Sequence, residues 1–282
     1  MTDASVDAAD AAPCILGDVT PGFHEYACDG LSYDVTIPPA CASACACGLI
    51  VDVHGFTENG KMEDDNTNMR ALGAQYGYVV MQPNSRQAPP ESSWVATTDD
   101  PLVYSFITTA IPALGVDPRR VHMMGFSQGG MMTYRFLCNH ADLFASVAPG
   151  AGYGCTFTAG DTPSREIPVF YMHGTKDALL SFQAIAIPQR DSVIAGWNMG
   201  KGTVIAQGTA YTRTRYTSPT GNTFEFLQHD YASSNTILVG HCYPGSTDPG
   251  NQPGQLFPFG CVPPNAFTWG VEAVKFFMAH EG

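Results

Sequence analysis

The stretch RVHMMGFSQGGMMTYRFLCNHADLF, residues 120–144, constrains the fold most. An apolar run ends in Gly-Phe, a serine follows at Ser127, and a helical pattern begins at once. A sharp strand-to-helix turn needs small neighbours, because a side chain at Gly125 or Gly129 would clash inside it. Such a turn lifts the Ser127 hydroxyl over the end of a sheet and aims the helix N-terminus at whatever the hydroxyl attacks. Gly-x-Ser-x-Gly alone also fits a glycine-rich loop. The strand pattern before it and the apolar helix after it favour a nucleophile elbow.

The rest of the chain repeats this alternation. Buried parallel strands are expected in GLIVDVHGF (48–56), YVVMQPNS (78–85), RVHMMGFS (120–127), ASVAPGAG (145–152) and IPVFYMHGTKD (167–177). LSYDVTIPPA (31–40) alternates like an edge strand and stops at Pro-Pro. NTILVG (235–240) reads as a last strand, and YTRTRYTS and TFEFLQHDYA flank the hairpin signal PTGN. Helices are expected over 62–77, from Asp99 or Asp100 toward 115, over 128–144, near 181–198 and over 265–280. Strands alternating with helices predict an α/β fold, a mostly parallel sheet covered on both faces. In such sheets ligands bind beyond the carboxyl ends of the strands.

The 282 residues, 44% of them hydrophobic, suffice for one large core. We expect residues 1–13 to be a flexible leader and 14–282 a single domain. The net charge of −13 argues against nucleic acid and anionic membrane as partners, since both require Lys/Arg patches. No run of 18 apolar residues is present to span a bilayer. Nine cysteines point to an oxidising compartment. The start MTDASVDAADAAPC has neither a basic nor an apolar signal region, so a removed signal peptide is inferred from the cysteines alone.

A serine nucleophile needs a base, and the base an orienting acid. Asp177 falls just past a strand, and His241 lies between the last expected strand and the final helix. Both sit at the sheet's carboxyl edge, in the order Ser, Asp, His. Asp161 and Asp191 fit less well, in a loop and a helix. His24, His122, His140, His229 and His280 lie before the sheet, within a strand, late in a helix, in the hairpin and at the chain end. His54 and His173, each before a glycine after a strand, read as turn supports. The oxyanion donors are expected to be the backbone amides of Gln128 and of Phe56 in HGFTENG. No metal or organic cofactor is required. CASACAC (Cys41, Cys45, Cys47) lacks zinc-ribbon spacing, and DDNTN (64–68) lacks the glycine and bidentate glutamate of a calcium loop.

The blocks VHGFTENG, DDPLVYSFI…GVDPRRVHMMGFSQGGMM, FYMHGTKD and GHCYPG, in that order, resemble the secreted α/β-hydrolases that include feruloyl esterases and polyhydroxybutyrate depolymerases. The resemblance covers roughly residues 48–280. It implies an α/β-hydrolase fold, a secreted protein and the same triad of Ser127, Asp177 and His241. Two departures bear on the pocket: ALLSF (178–182) replaces a Val-Pro-Tyr-like turn, and Tyr243 stands where the family usually has Trp. Trp94 and Tyr243 are the candidate substrate-lining residues, Trp94 by stacking on a feruloyl ring or a polymer. Its alternative is a packed loop anchor.

Cys138, in the helix after Ser127, is placed to reach Cys155, and Cys242, beside His241, to pair with Cys261. The five N-terminal cysteines cannot be paired from sequence. The expected function is a secreted, monomeric serine esterase acting on feruloyl or acetyl esters of plant polysaccharide. A polyester depolymerase and a non-catalytic carbohydrate-binding protein are the alternatives.

Overall fold

A computed structural model describes residues 16–42, 47–158 and 160–282. The expected leader, 1–13, lies outside the described residues. Ten strands form one sheet in the order β1-β2-β4-β3-β5-β6-β7-β10-β9-β8. They are β1 (Gly22–Cys28), β2 (Leu31–Ile37), β3 (Gly48–Val53), β4 (Tyr78–Asn84), β5 (Val121–Phe126), β6 (Ser146–Gly150), β7 (Val169–Gly174), β8 (Thr203–Gln207), β9 (Tyr211–Thr217) and β10 (Thr223–His229). The six strands from β4 to β10 in that order pair in parallel. An antiparallel ribbon closes each edge.

Alternation along the strands builds two cores. Leu49, Val51, Val79, Met81, Val121 and Met123 face one side, with Val103, Phe106, Met132 and Leu137 of the helices α3 (Ala96–Ala113) and α4 (Gln128–His140). Ile50, Val80, Met124, Phe126 and Phe170 face the other, under α2 (Met69–Tyr76) and α6 (Trp269–Met278). β3 and β5 are covered on both faces and buried at every position, which is why they are largely apolar.

Several expectations need correction. LSYDVTI is not an edge strand, because β1 pairs along its outer side. The helix over 62–77 is two, α1 (Gly60–Thr67) and α2, broken where Asn68 turns left-handed at φ 55°. NTILVG is not a strand. The place beside β7 is taken by β10, and 235–240 forms turns, with Ile237 60% exposed and Val239 at φ 47°. The helix near 181–198 begins as a π-turn over Phe182–Ala186 and continues as α5 (Ile187–Gly196). Among the described residues, the disulfides include Cys138–Cys155, Cys242–Cys261 and Cys41–Cys47. The first two are the expected pairs. Among the described residues, no helix is long and apolar enough to cross a membrane.

Candidate active site

Ser127 stands between β5 and α4 in a backbone conformation that L-residues rarely adopt, φ 54° and ψ −116°. Such strain persists only where the surroundings enforce it. Here the Ser127 amide donates to the Gly150 carbonyl of β6 at 3.0 Å, and its carbonyl accepts from Met131 at 2.9 Å. A Cβ placed on Gly129 would fall 1.8 Å from the Val53 carbonyl oxygen, so α4 can start this close to β3 only with glycine there. The motif's spacing thus follows from the clearance between helix and sheet.

Asp177 follows β7. Its Oδ1 accepts from the Leu179 and Leu180 amides at 2.9 and 2.7 Å, and its Oδ2 accepts from His241 Nδ1 at 2.7 Å. The ALLSF segment that departs from the family pattern therefore supplies two of the donors that orient the acid. Burial alone would raise this carboxyl's pKa, but hydrogen bonds from His173 and His241 hold it well below the usual carboxylate range.

His241 reaches Asp177 by a close backbone approach. The Gly240 amide donates to Lys176 O at 3.1 Å, and a Cβ on Gly240 would lie 2.6 Å from Asp177 N. The His241 ring is buried and packs on Phe126, the residue before Ser127, at 4.8 Å between centroids. Its Nε2 has no hydrogen-bond partner among the described residues, so no bond joins it to Ser127. The elements bring Asp177 and His241 into contact, and the His241 ring meets Phe126 at the elbow.

The loop after β3 lies over Ser127: a Cβ on Gly55 would be 3.3 Å from Ser127 Cβ. The amides of Gly55, Thr57 and Glu58 have partners at Glu58 Oε2, Ser92 O and Gly55 O. The Phe56 amide between them has none among the described residues, nor does that of Gln128 in the first turn of α4. Both remain available as donors. The Phe56 ring is half exposed.

The two aromatics expected to line the substrate cleft do not. Trp94 is 7% exposed, packs tilted against His54 at 4.7 Å between centroids and donates from Nε1 to the His54 carbonyl at 2.9 Å. It is the packed anchor of its loop. Tyr243 is fully buried, 4.0 Å from the Phe126 ring, with its hydroxyl on Glu63 Oε2 at 2.5 Å. Both rings are too enclosed to stack on a ligand. The Gln128 side chain, in addition to the backbone amide expected to matter, accepts from Trp94 N at 3.0 Å and so ties that loop to the elbow.

His173, read from sequence as a turn support, also reaches the acid. Its Nε2 lies 3.3 Å from Asp177 Oδ2 and 2.7 Å from the Leu180 carbonyl, and its Nδ1 meets Tyr171 Oη at 2.9 Å. The only signal was the His-Gly-x-x-Asp spacing, which reads equally as a turn. His54 and His229 are buried, and desolvation lowers their pKa to about 4 and about 3. One group of potential metal ligands occurs among the described residues, Cys138, Cys155 and Asp161, but the two sulfurs are bonded to each other.

The sheet, the serine elbow and the loops at its carboxyl edge form an α/β-hydrolase fold, and solved structures agree on it. An acetyl xylan esterase from Aspergillus awamori superposes with a TM-score of 0.62 at 16% identity, over 73% of this chain and 92% of that one. A thermostable esterase superposes at 0.56 and 16% identity, over 92% of this chain and 62% of that one. The curated relatives of this chain include acetylxylan and feruloyl esterases. A bifunctional acetylxylan esterase/xylanase from Neocallimastix patriciarum is 32% identical over 139 residues, 49% of this chain and 20% of that protein. Acetylxylan esterase A from Aspergillus ficuum is 27% identical over 123 residues, 39% of this chain and 40% of that protein. Feruloyl esterase B from Piromyces equi is 24% identical over 152 residues, 49% of this chain and 27% of that protein. The matches thus span well under half of these relatives' own length. No protein-family model matches the chain.

Proposed function

We propose that the chain is a serine carboxylic-ester hydrolase that works through Ser127, His241 and Asp177. The observation that carries this reading is a serine in strained backbone at an elbow, beside a buried histidine hydrogen-bonded at 2.7 Å to a carboxylate held by two further amides. His241 Nε2, without a partner, takes the Ser127 proton as Oγ attacks the ester carbonyl. Asp177 fixes the tautomer with Nδ1 protonated and stabilises the imidazolium. The Phe56 and Gln128 amides receive the oxyanion. His241 then protonates the leaving alcohol, and a water it activates hydrolyses the acyl-enzyme.

The substrates we propose are acetyl or feruloyl esters of plant polysaccharide. Support comes from the relatives, named as acetylxylan and feruloyl esterases. A second reading, a polyester depolymerase, draws on exposed apolar residues in the loops that carry the site: Phe56 and Leu179 at 50% and Ile237 at 60%. Initial rates on acetylated xylan, methyl ferulate and polyhydroxybutyrate film separate the two. Release of acetate or ferulate supports the first, and clearing of the film alone overturns it. Secretion fits the disulfides and is tested by where the native protein accumulates. We take the protein to be a monomer, which light scattering checks.

A further inference from the structure

The loop that carries the Phe56 amide is held from behind by a buried acid. Glu58 is 0% exposed. Its Oε2 accepts from the Gly55 amide at 3.1 Å and its Oε1 from Asn66 Nδ2 of α1 at 3.1 Å. Gly55 is the residue that abuts Ser127, and it immediately precedes Phe56. One carboxyl therefore joins helix α1 to the peptide that leads into the proposed oxyanion donor.

Glu58 has acidic company. Asp52 at the end of β3 and Glu63 in α1 are also 0% exposed. Thr67 and Gln82 donate to Asp52 Oδ2 at 2.8 and 3.0 Å, and Tyr243 donates to Glu63 Oε2. The second oxygens, Asp52 Oδ1 and Glu63 Oε1, are buried and accept from no N–H or hydroxyl donor among the described residues, and the two side chains hydrogen-bond to each other through a shared proton. Three carboxylates cannot all be charged in so dry a space, because the isolated charges are costly to bury and repel one another. Burial pushes Asp52 up to about 6, Glu58 up to about 8 and Glu63 well above the ordinary range. The titratable groups facing Glu58 include Asp52 from β3, Glu63 from α1, and Tyr243 and Asp248 from the segment after His241, while Lys61 of α1 and Arg86 line the pocket beside it and are paired with Asp65 and Asp99. On the loop itself, His54 turns Nδ1 to the Gly55 carbonyl at 2.7 Å, and burial keeps it neutral near pH 7.

We propose that Glu58 is a positioning residue for the oxyanion site, holding the Gly55–Phe56 peptide against Ser127 while its own carboxyl stays neutral. The inference rests on reading Ser127 as the nucleophile. When a proton leaves, a new buried charge faces other acids, and the loop relieves the repulsion by moving away from α1. The Phe56 amide then leaves the place where the oxyanion forms. A lost oxyanion donor costs roughly 10²–10³ in kcat, and a displaced one a fraction of that.

The test compares wild type, Glu58→Gln and Glu58→Ala on p-nitrophenyl acetate from pH 6 to 9.5, with spontaneous hydrolysis subtracted. Glutamine resembles the neutral acid and cannot ionise. The wild-type kcat should fall as pH rises through about 8, while the Gln variant stays flat over that range. The Ala variant, which leaves the Gly55 amide unpaired, should lose at least about tenfold in kcat with KM within about threefold, and Gln should recover most of that loss. An alkaline fall in the Gln variant equal to wild type overturns the proposal, even if the Ala variant does not fold. An Ala variant within twofold of wild type in kcat also overturns it. Either result with an inactive Ser127→Ala control leaves the nucleophile assignment standing. An active control refutes that assignment instead.

Discussion

Asp177→Asn probes the orienting acid without dismantling its surroundings. Asparagine keeps Oδ1, so the Leu179 and Leu180 amides at 2.9 and 2.7 Å retain their acceptor. The change falls on the other oxygen, which accepts from His241 Nδ1 at 2.7 Å and lies 3.3 Å from His173 Nε2. An NH2 there is a donor. It fixes His241 with Nδ1 bare and Nε2 protonated, the wrong tautomer for taking the serine proton. It also opposes the His173 N–H that must satisfy the Leu180 carbonyl at 2.7 Å. In serine proteases the same substitution costs about 10⁴ in kcat, a figure taken from that template. Since each factor of ten is about 1.4 kcal/mol, the barrier should rise by about 5 kcal/mol. The assay is steady-state hydrolysis of p-nitrophenyl acetate, with circular dichroism to confirm folding. A folded variant within tenfold of wild-type kcat would refute the role given to Asp177.

Two further outcomes follow from the same geometry. The Cys242–Cys261 bond adjoins His241, so replacing both cysteines with alanine should lower kcat at temperatures well below unfolding; unchanged turnover would show that the bond does not hold the base. Stability should fall between about pH 6.5 and 8, because Glu58 keeps its proton up to about 8 when folded but loses it near the ordinary 4.5 when unfolded. The folded state then binds more protons, and each such acid costs about 1.4 kcal/mol per pH unit across that window. Below 6.5 the trend opposes this, since buried His54, His122 and His229, lowered to about 4, 3 and 3, stay neutral while the unfolded chain charges. Thermal unfolding across pH 6 to 8 checks the alkaline side, and a rising Tm contradicts it.

The parallel strands were legible because burial on both faces forces largely apolar runs, as in GLIVDV and VHMMGF, each interrupted by one buried polar residue, Asp52 and His122. The same signal misled at NTILVG. Three apolar residues in a row look alike whether buried or exposed, and sequence cannot say that β10 already occupies the place beside β7. β1 and β8 escaped notice because their faces are largely exposed and their sequences mixed. Asp177 and His241 could be selected, although 64 residues apart, because strand ends converge on one edge. Trp94 and Tyr243 could not be judged so, since an aromatic in a loop reads the same packed inward or turned to solvent. Glu58 and His173 act through partners that only the folded chain supplies.

The account stands on Ser127 as nucleophile. The direct measurement is p-nitrophenyl acetate turnover by Ser127→Ala beside wild type, both shown to be folded by circular dichroism. Hydrolysis by the wild type and its loss to near background in the variant is the predicted result. A folded variant that still turns over near the wild-type rate contradicts the account.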